Sequence, residues 1–268
     1  MPHASLRLCR SLLFLPASNP RAIAKARTLA ADMVILDLED AVKEEDKAAA
    51  RDAAVAAVGE GFGKPSAIRI NVTGSPHYGA DIVAARDSRA DYIVLPKAEQ
   101  AEQLKNVVQL TGKPVLAMVE TAAGVLGAAA VAGSCAGLIA GTNDLGADLA
   151  LPAGAGREGL AHSLQAIVLA ARAARIAAFD GVHNALDDEA GLAAQCREGR
   201  AYGFDGKSLI HPSQVEAVNR IFSPSEEEID AALKLIAAAT GGAERFEGRM
   251  IEAMHVAQAQ AVLAKARR

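Results

Sequence analysis

The sequence predicts an α/β protein of the (β/α)8 TIM-barrel type with a short C-terminal helical extension, and three observations carry that expectation. Apolar runs beginning near Arg10, Met33, Ser66, Asp91, Pro114, Ala136, Ala177 and Phe204 recur over roughly 210 residues, each followed by a stretch able to form a helix. The runs are continuously apolar rather than alternating, as in strands covered on both faces. No Gly-x-Gly-x-x-Gly follows the first run, which disfavours an open doubly wound sheet.

The first run ends in Pro16-Ala-Ser-Asn-Pro20, where Asn19 caps a helix that opens on proline. That helix start either receives an anion through its backbone N–H groups or is an ordinary capped turn. The second run, Val34-Ile-Leu36, leads into Asp37, Glu39 and Asp40. Burying so many carboxylates costs several kcal/mol unless they protonate or find cations, which points to function. Lys43 to Arg51 mixes strong helix formers with charges three and four apart and suits an outer helix. At the end of the third run Arg69 sits between isoleucines, placed either to fork a substrate carboxylate or to bridge to the strand-2 acids. Lys97 closes the fourth, as a pocket-lining or Schiff-base lysine or as a salt-bridged one.

The fifth run ends on Glu120, with Thr121 as a helix cap, and the sixth leads through Gly141-Thr-Asn to Asp144, a turn that allows close backbone approach. His183 and His211 lie near the ends of the seventh and eighth runs, as structural or proton-transfer residues. Asp180-Gly181 and Asp205-Gly206 read as turns. Pro212 to Phe222 is the last barrel helix, so a catalytic barrel is expected over 9–222 and an extension over 223–268. After Ser223-Pro224-Ser225 the extension reads as a helix over Glu226 to Thr240, a break at Gly241-Gly242, a hairpin around Glu247-Gly248 and a helix from Met254 to Arg268. It is an oligomerisation arm or a lid.

Composition bounds the function. With 268 residues, 51% of them hydrophobic, the chain can bury a sizeable core. A net charge of −4, with 28 Lys and Arg spread among 32 acids, leaves no basic block for nucleic acid. Cys9, Cys135 and Cys196 have no metal-ligand spacing and read as reduced, buried thiols of a cytoplasmic protein. Leu12-Leu-Phe-Leu15 is cut by Pro16 and is shorter than the ~7–15-residue core of a secretory signal. No run approaches a membrane span, so a membrane is not an expected partner.

In a parallel barrel every strand opens on the same face at its C-terminal end, so Glu120 and Asp144 converge. Two converging carboxylates repel unless a cation sits between them, and Mg²⁺ is the simplest oxygen-seeking candidate. Seven motifs in order then carry a resemblance: Arg10-Ser-Leu-Leu-Phe-Leu-Pro16, Ile35-Leu-Asp-Leu-Glu-Asp-Ala-Val42, Ile68-Arg-Ile-Asn71, Val94-Leu-Pro-Lys97, Val119-Glu-Thr121, Gly141-x-x-Asp-Leu145 and Gly203-Phe-Asp-Gly-Lys-x-x-Ile-His-Pro-Ser-Gln214. Over roughly residues 9 to 240 the chain resembles the citrate lyase β subunit-like, CoA-ester lyase group of the HpcH/HpaI aldolase superfamily.

That resemblance implies a metal-dependent carbon–carbon lyase that cleaves or forms a 3-hydroxyacyl-CoA thioester, such as malyl-CoA or citramalyl-CoA, exchanging it with an acyl-CoA and a 2-oxo acid. It implies Glu120 and Asp144 as ligands of Mg²⁺, or of Mn²⁺, with Glu120 also touching substrate. Arg69 would grip the oxo acid, with Glu39 and Asp40 as the remaining catalytic acids. Arg10, Lys97, His211 and Pro212 would lie along the CoA thioester, and the chain would form a homo-oligomer, a trimer or hexamer. Two departures stand out: Asn143 precedes Asp144 where many relatives carry an acid, and the C-terminal region is short beside relatives whose lid supplies an acidic residue to a neighbour. The alternatives are an aldolase on free 4-hydroxy-2-oxo acids, the citryl-carrier-protein lyase subunit of a citrate lyase complex, and an idle barrel with an interaction role.

Overall fold

The computed structural model describes residues 6–266, and its chain forms two compact units that divide between Asn219 and Arg220. In the first, β1 (Ser11–Pro16), β2 (Met33–Asp37), β3 (Ser66–Arg69), β4 (Tyr92–Leu95), β5 (Val115–Val119), β6 (Gly137–Ala140), β7 (Ala177–Asp180) and β8 (Gly206–Leu209) pair in chain order. All pairs are parallel, and β8 returns to β1 with Leu12 opposite Ser208, closing the cylinder. The helices between strands are α1 (Pro20–Ala26), α2 (Lys47–Glu60), α3 (Tyr78–Asp87), α4 (Ala101–Thr111), α5 (Ala122–Ala132), α6 (Thr142–Asp148), α7 (Ala161–Ala173) and α8 (Glu189–Tyr202), with α9 (Gln214–Phe222) following β8.

Nearly every strand residue is buried, because a barrel strand faces a packed interior on one side and helices on the other. Alternate residues, Leu12 and Phe14, Met33 and Ile35, Tyr92 and Val94, Leu116 and Met118, join one apolar cluster with Ile139 and Phe179. Leu6 and Cys9 belong to the same cluster from just before β1, at the N-terminal end. The helix starts follow their sequence signals. Asn19 accepts from the Ala22 N–H at 3.0 Å with Pro20 behind it, and Thr121 accepts from Gly124 at 2.9 Å. Cys9 and Cys196 are buried thiols, as expected, whereas Cys135 is only half-buried.

The second unit holds α10 (Glu226–Ala238), an antiparallel hairpin of β9 (Glu244–Phe246) and β10 (Arg249–Ile251), and α11 (Ala253–Ala266). Ser225 opens α10 with a full capping box to Glu228. Helices α10 and α11 pack together, and the Lys265 ammonium lies 5.7 Å from the Phe222 ring centre. Positions 267–268, the end of the expected terminal helix, lie outside the described residues. No helix among the described residues is long and apolar enough to cross a membrane.

Candidate active site

The alternation that fills the barrel also builds its mouth. One step beyond Ile35, Ala67 and Met118 on their strands stand Asp37, Arg69 and Glu120, so the inward layer at the C-terminal end is charged rather than apolar. A cavity of about 390 Å³ opens there, lined among others by Phe14, Asp37, Asp40, Arg69, Glu120 and Asp144. The two acids expected to converge do face one cavity, Glu120 just after β5 and Asp144 in the first turn of α6.

Arg69 is committed first to strand 2. Asp37 is its register partner across β2 and β3, and Nε and Nη2 donate to Oδ1 and Oδ2 of Asp37 at 2.6 Å each. The bridge to the strand-2 acids, one of the two roles the sequence left open, is made; Nη1 alone is turned elsewhere, 3.2 Å from Glu39 Oε2 and 3.8 Å from Asp40 Oδ2. The Phe14 ring lies 5.4 Å from the guanidinium carbon. Burial works to lower the Arg69 pKa, but the hydrogen bonds and charge of Asp37, with Glu39 and Asp40, outweigh it and hold the group above its usual range. Asp37 also accepts the N–H groups of Glu39 and Ala41, and Lys47 Nζ donates to the carbonyls of Leu38 and Glu39 and to Asn71 Oδ1. The acidic loop after β2 is thus fixed by buried polar groups, while Asp40 extends to the exposed rim.

The acids in this layer are strained electrostatically. Burial pushes Glu39 up to about 8 against the pull of Arg69, with Asp40, Glu120 and Asp37 adding repulsion. Its Oε2 is buried and, despite the nearby Nη1, receives no hydrogen bond. Burial likewise pushes Glu120 up to about 7; the Lys97 N–H and Arg69 oppose this, and Asp144 and Asp40 reinforce it. An orphaned buried carboxylate oxygen beside mutually repelling acids fits a hard divalent cation. Among the described residues no group of three or more His, Cys, Asp or Glu side chains closes a metal cage. Glu120 and Asp144 therefore suit an ion that keeps much of its shell on water or substrate oxygens, as Mg²⁺ does and Mn²⁺ can.

The remaining expected residues divide. Lys97, half-buried after β4, gives its backbone N–H to Glu120 Oε1 at 2.8 Å. His211, exposed, and Pro212, half-buried, follow β8 on the same face, with His211 Nδ1 2.7 Å from Ser213 Oγ. Arg10 does not join them. It precedes β1, at the opposite end of the cylinder from this cavity, where its Nε and Nη2 donate to Asp32 at 2.9 Å each. The turn reading is corrected for Asp180, which ends β7, while Asp205 does lie in the bend before β8. Asp180 is fully buried, with Oδ2 2.9 Å from Lys207 Nζ and Oδ1 2.9 Å from Arg157 Nη2, and Asp205 accepts the Ala178 N–H and pairs with Arg172. A lysine inside the apolar eighth run was the available signal for the first of these. His183 is buried, its Nε2 without a hydrogen bond and 3.7 Å from Asp188.

The model of the HpcH/HpaI aldolase/citrate lyase family matches residues 10–212. The chain belongs to that family. A second model, a C–C bond lyase of the TIM-barrel fold, matches residues 158–268. Among relatives, a (3S)-malyl-CoA thioesterase of Cereibacter sphaeroides is 41% identical, over 96% of this chain and 94% of its own. The citrate lyase subunit beta of Leuconostoc mesenteroides is 34% identical, over 96% of this chain and 93% of its own. The crystal structure of CitE from Mycobacterium tuberculosis with magnesium, acetoacetate and coenzyme A superposes with a TM-score of 0.84 at 36% identity, covering 98% of this chain and all of that one. Within this HpcH/HpaI member Asn143 is not an unpaired substitute for an acid: its amide exchanges hydrogen bonds with that of Asn184, at 2.7 and 3.3 Å, joining the turn that carries Asp144 to the segment after β7.

Proposed function

We propose that this protein is a Mg²⁺-dependent carbon–carbon lyase that splits a 3-hydroxyacyl-CoA thioester of the malyl-CoA kind into an acyl-CoA and a 2-oxo acid, or joins them. The observation that carries the reading is the meeting of Glu120 and Asp144 in one cavity whose wall holds Arg69 and Asp37. The relatives named for malyl-CoA and citrate lyase, and the CitE structure with magnesium and coenzyme A, support it over nearly the full chain.

Glu120 and Asp144 would hold the ion, which when bound supplies Lewis-acid polarisation of the carboxylate and hydroxyl oxygens of the substrate. The residues of the chain divide the rest. Asp40, at the exposed rim, takes the hydroxyl proton as the C–C bond breaks and its electron pair moves to the thioester α-carbon. Glu39, which holds its proton to about pH 8, returns one to that carbon and completes the acyl-CoA. Arg69 meets the developing oxo acid through Nη1, the edge not bound to Asp37. Lys97, His211 and Pro212, on the same rim, border the thioester arm. The thiols fit a reducing cytoplasm, and the uncharged α5, with Leu126 exposed, packed against α7, with Leu169 exposed, fits a homo-oligomer.

A second reading, hydrolysis of the same thioester to a 3-hydroxy acid and free CoA, is favoured by the thioesterase name of the 41%-identical relative. One assay decides. Malyl-CoA incubated with protein and Mg²⁺ yields glyoxylate and acetyl-CoA if the C–C bond breaks, and malate with a free thiol if water attacks the thioester. Glu120→Ala and Asp144→Ala should abolish either reaction while leaving the fold intact. Turnover that survives both substitutions in metal-depleted buffer overturns the assignment, and turnover of free 4-hydroxy-2-oxo acids but no thioester would place the chain with the CoA-independent aldolases.

A further inference from the structure

The Glu120 carboxylate is enclosed by backbone on two sides. On one side stands the Lys97 N–H, 2.8 Å from Oε1. Lys97 has φ of +46°, a left-handed conformation that a lysine adopts only when its surroundings impose it. Those surroundings are visible: the Ala98 N–H donates to the Met118 carbonyl at 2.9 Å, and Thr121 Oγ1 donates to Glu99 Oε1 at 2.8 Å. The segment lies so close to α5 that a Cβ on Gly124 would stand 2.8 Å from the Ala98 carbonyl oxygen, and one on Gly127 2.4 Å from that of Glu99.

On the other side stands Gly141. A Cβ there would lie 2.4 Å from Glu120 Cβ and 2.4 Å from Oε2. Its φ of −94° is open to any residue, so glycine is needed here for room, not for backbone freedom. Nor can Gly141 retreat. Its N–H donates to the Val119 carbonyl at 3.0 Å, and its own carbonyl accepts the Leu145 N–H at 3.0 Å, in the turn that carries Asp144.

We infer that Gly141 and the Lys97 backbone form a clamp that presents Glu120 to the mouth at a fixed distance from Asp144, making both positioning residues for metal binding. At Lys97 it is the left-handed N–H, and not the ammonium group, that does this. The inference rests on the reading of Glu120 as a metal ligand, and the test separates the two.

The measurement is calorimetric titration of the purified protein with Mn²⁺, run beside thermal melting in EDTA. Glu120→Ala comes first: loss of Mn²⁺ binding upholds the ligand reading, and undiminished binding overturns it and the clamp with it. Gly141→Ala should then weaken Mn²⁺ by about 10- to 100-fold, the range for residues that orient a ligand. Lys97→Gly keeps the N–H and accepts positive φ, so it should stay within about threefold of wild type, where a ligand or steering role for the ammonium predicts a larger loss. Wild-type Mn²⁺ affinity in Gly141→Ala, after Glu120→Ala has abolished binding, refutes the clamp. Should Gly141→Ala melt early, the same substitution in a Glu120→Gly background decides: the loss in Tm must shrink once the clashing side chain is gone, and an unchanged loss refutes the contact.

Discussion

Replacing Arg69 with methionine removes the cation against which Asp37 is buried. Asp37 and Arg69 are 1% and 8% exposed, and two charge-assisted bonds of 2.6 Å join them. Truncating one partner of such a pair strands a buried charge and costs about 3–5 kcal/mol, and the Phe14 contact adds a fraction of 1 kcal/mol. For a domain of this size each kcal/mol moves Tm by roughly 2–4 °C, so Arg69→Met should melt on the order of 10 °C early. Removing both charges should be gentler, because no charge of the pair is left stranded, although the Glu39 and Ala41 N–H groups lose their acceptor. Asp37→Leu with Arg69→Met is therefore expected to recover part of the loss. The assay is urea unfolding followed by circular dichroism, at fixed pH and in EDTA, for the wild type, both single variants and the double. A single-variant cost below about 1 kcal/mol, or a double variant that loses the sum of the singles, would refute the view that Arg69 first neutralises strand 2.

Three further outcomes are expected. In metal-free protein Glu39 and Glu120 are raised from 4.5 to about 8 and about 7, so the folded form holds their protons more tightly than the unfolded form. The stabilisation this brings is complete below pH ~4.5 and is lost as pH rises toward 8, on the order of 5 kcal/mol for Glu39 and about 3 kcal/mol for Glu120. Urea midpoints from pH 5 to 9 should fall in EDTA and fall less steeply with Mg²⁺, which takes up the Glu120 share; a midpoint that climbs with pH in EDTA contradicts the assignment. Lys207→Met, which removes a fully buried ammonium 2.9 Å from the fully buried Asp180, should cost about 3 kcal/mol in the same denaturation, and a neutral result would mean Arg157 alone satisfies Asp180. Ser225→Ala removes one half of the capping box on α10, costing about 1 kcal/mol, read as faster proteolysis within 220–268; an unchanged cleavage rate counts against the cap.

Much of this molecule was legible as local pattern. Continuous apolar runs gave eight barrel strands within two residues of their observed starts, because a strand covered on both faces has no polar alternation to blur its limits. Asn19, Thr121 and Ser225 marked helix starts by chemistry that acts over three residues. The charged layer of the mouth could be read as well, since acids and an arginine that end apolar strands must lie at the C-terminal face.

What the sequence could not decide was which group each of these residues meets. Arg10 heads a run as plainly as Arg69 ends one, yet it lies at the other end of the cylinder beside Asp32. Arg69 faces Asp37 because the register of β2 against β3 makes them Cα partners. Asp180 resembled a turn residue until β8 brought Lys207 against it, and Gly141 gave no sign that the Glu120 side chain fills the space above it. Periodicity along a chain fixes the face and end at which a side chain emerges, a property of a few neighbouring peptides. Partners are set by strand order, register and closure, which join residues tens of positions apart and are carried by the packing of the whole barrel.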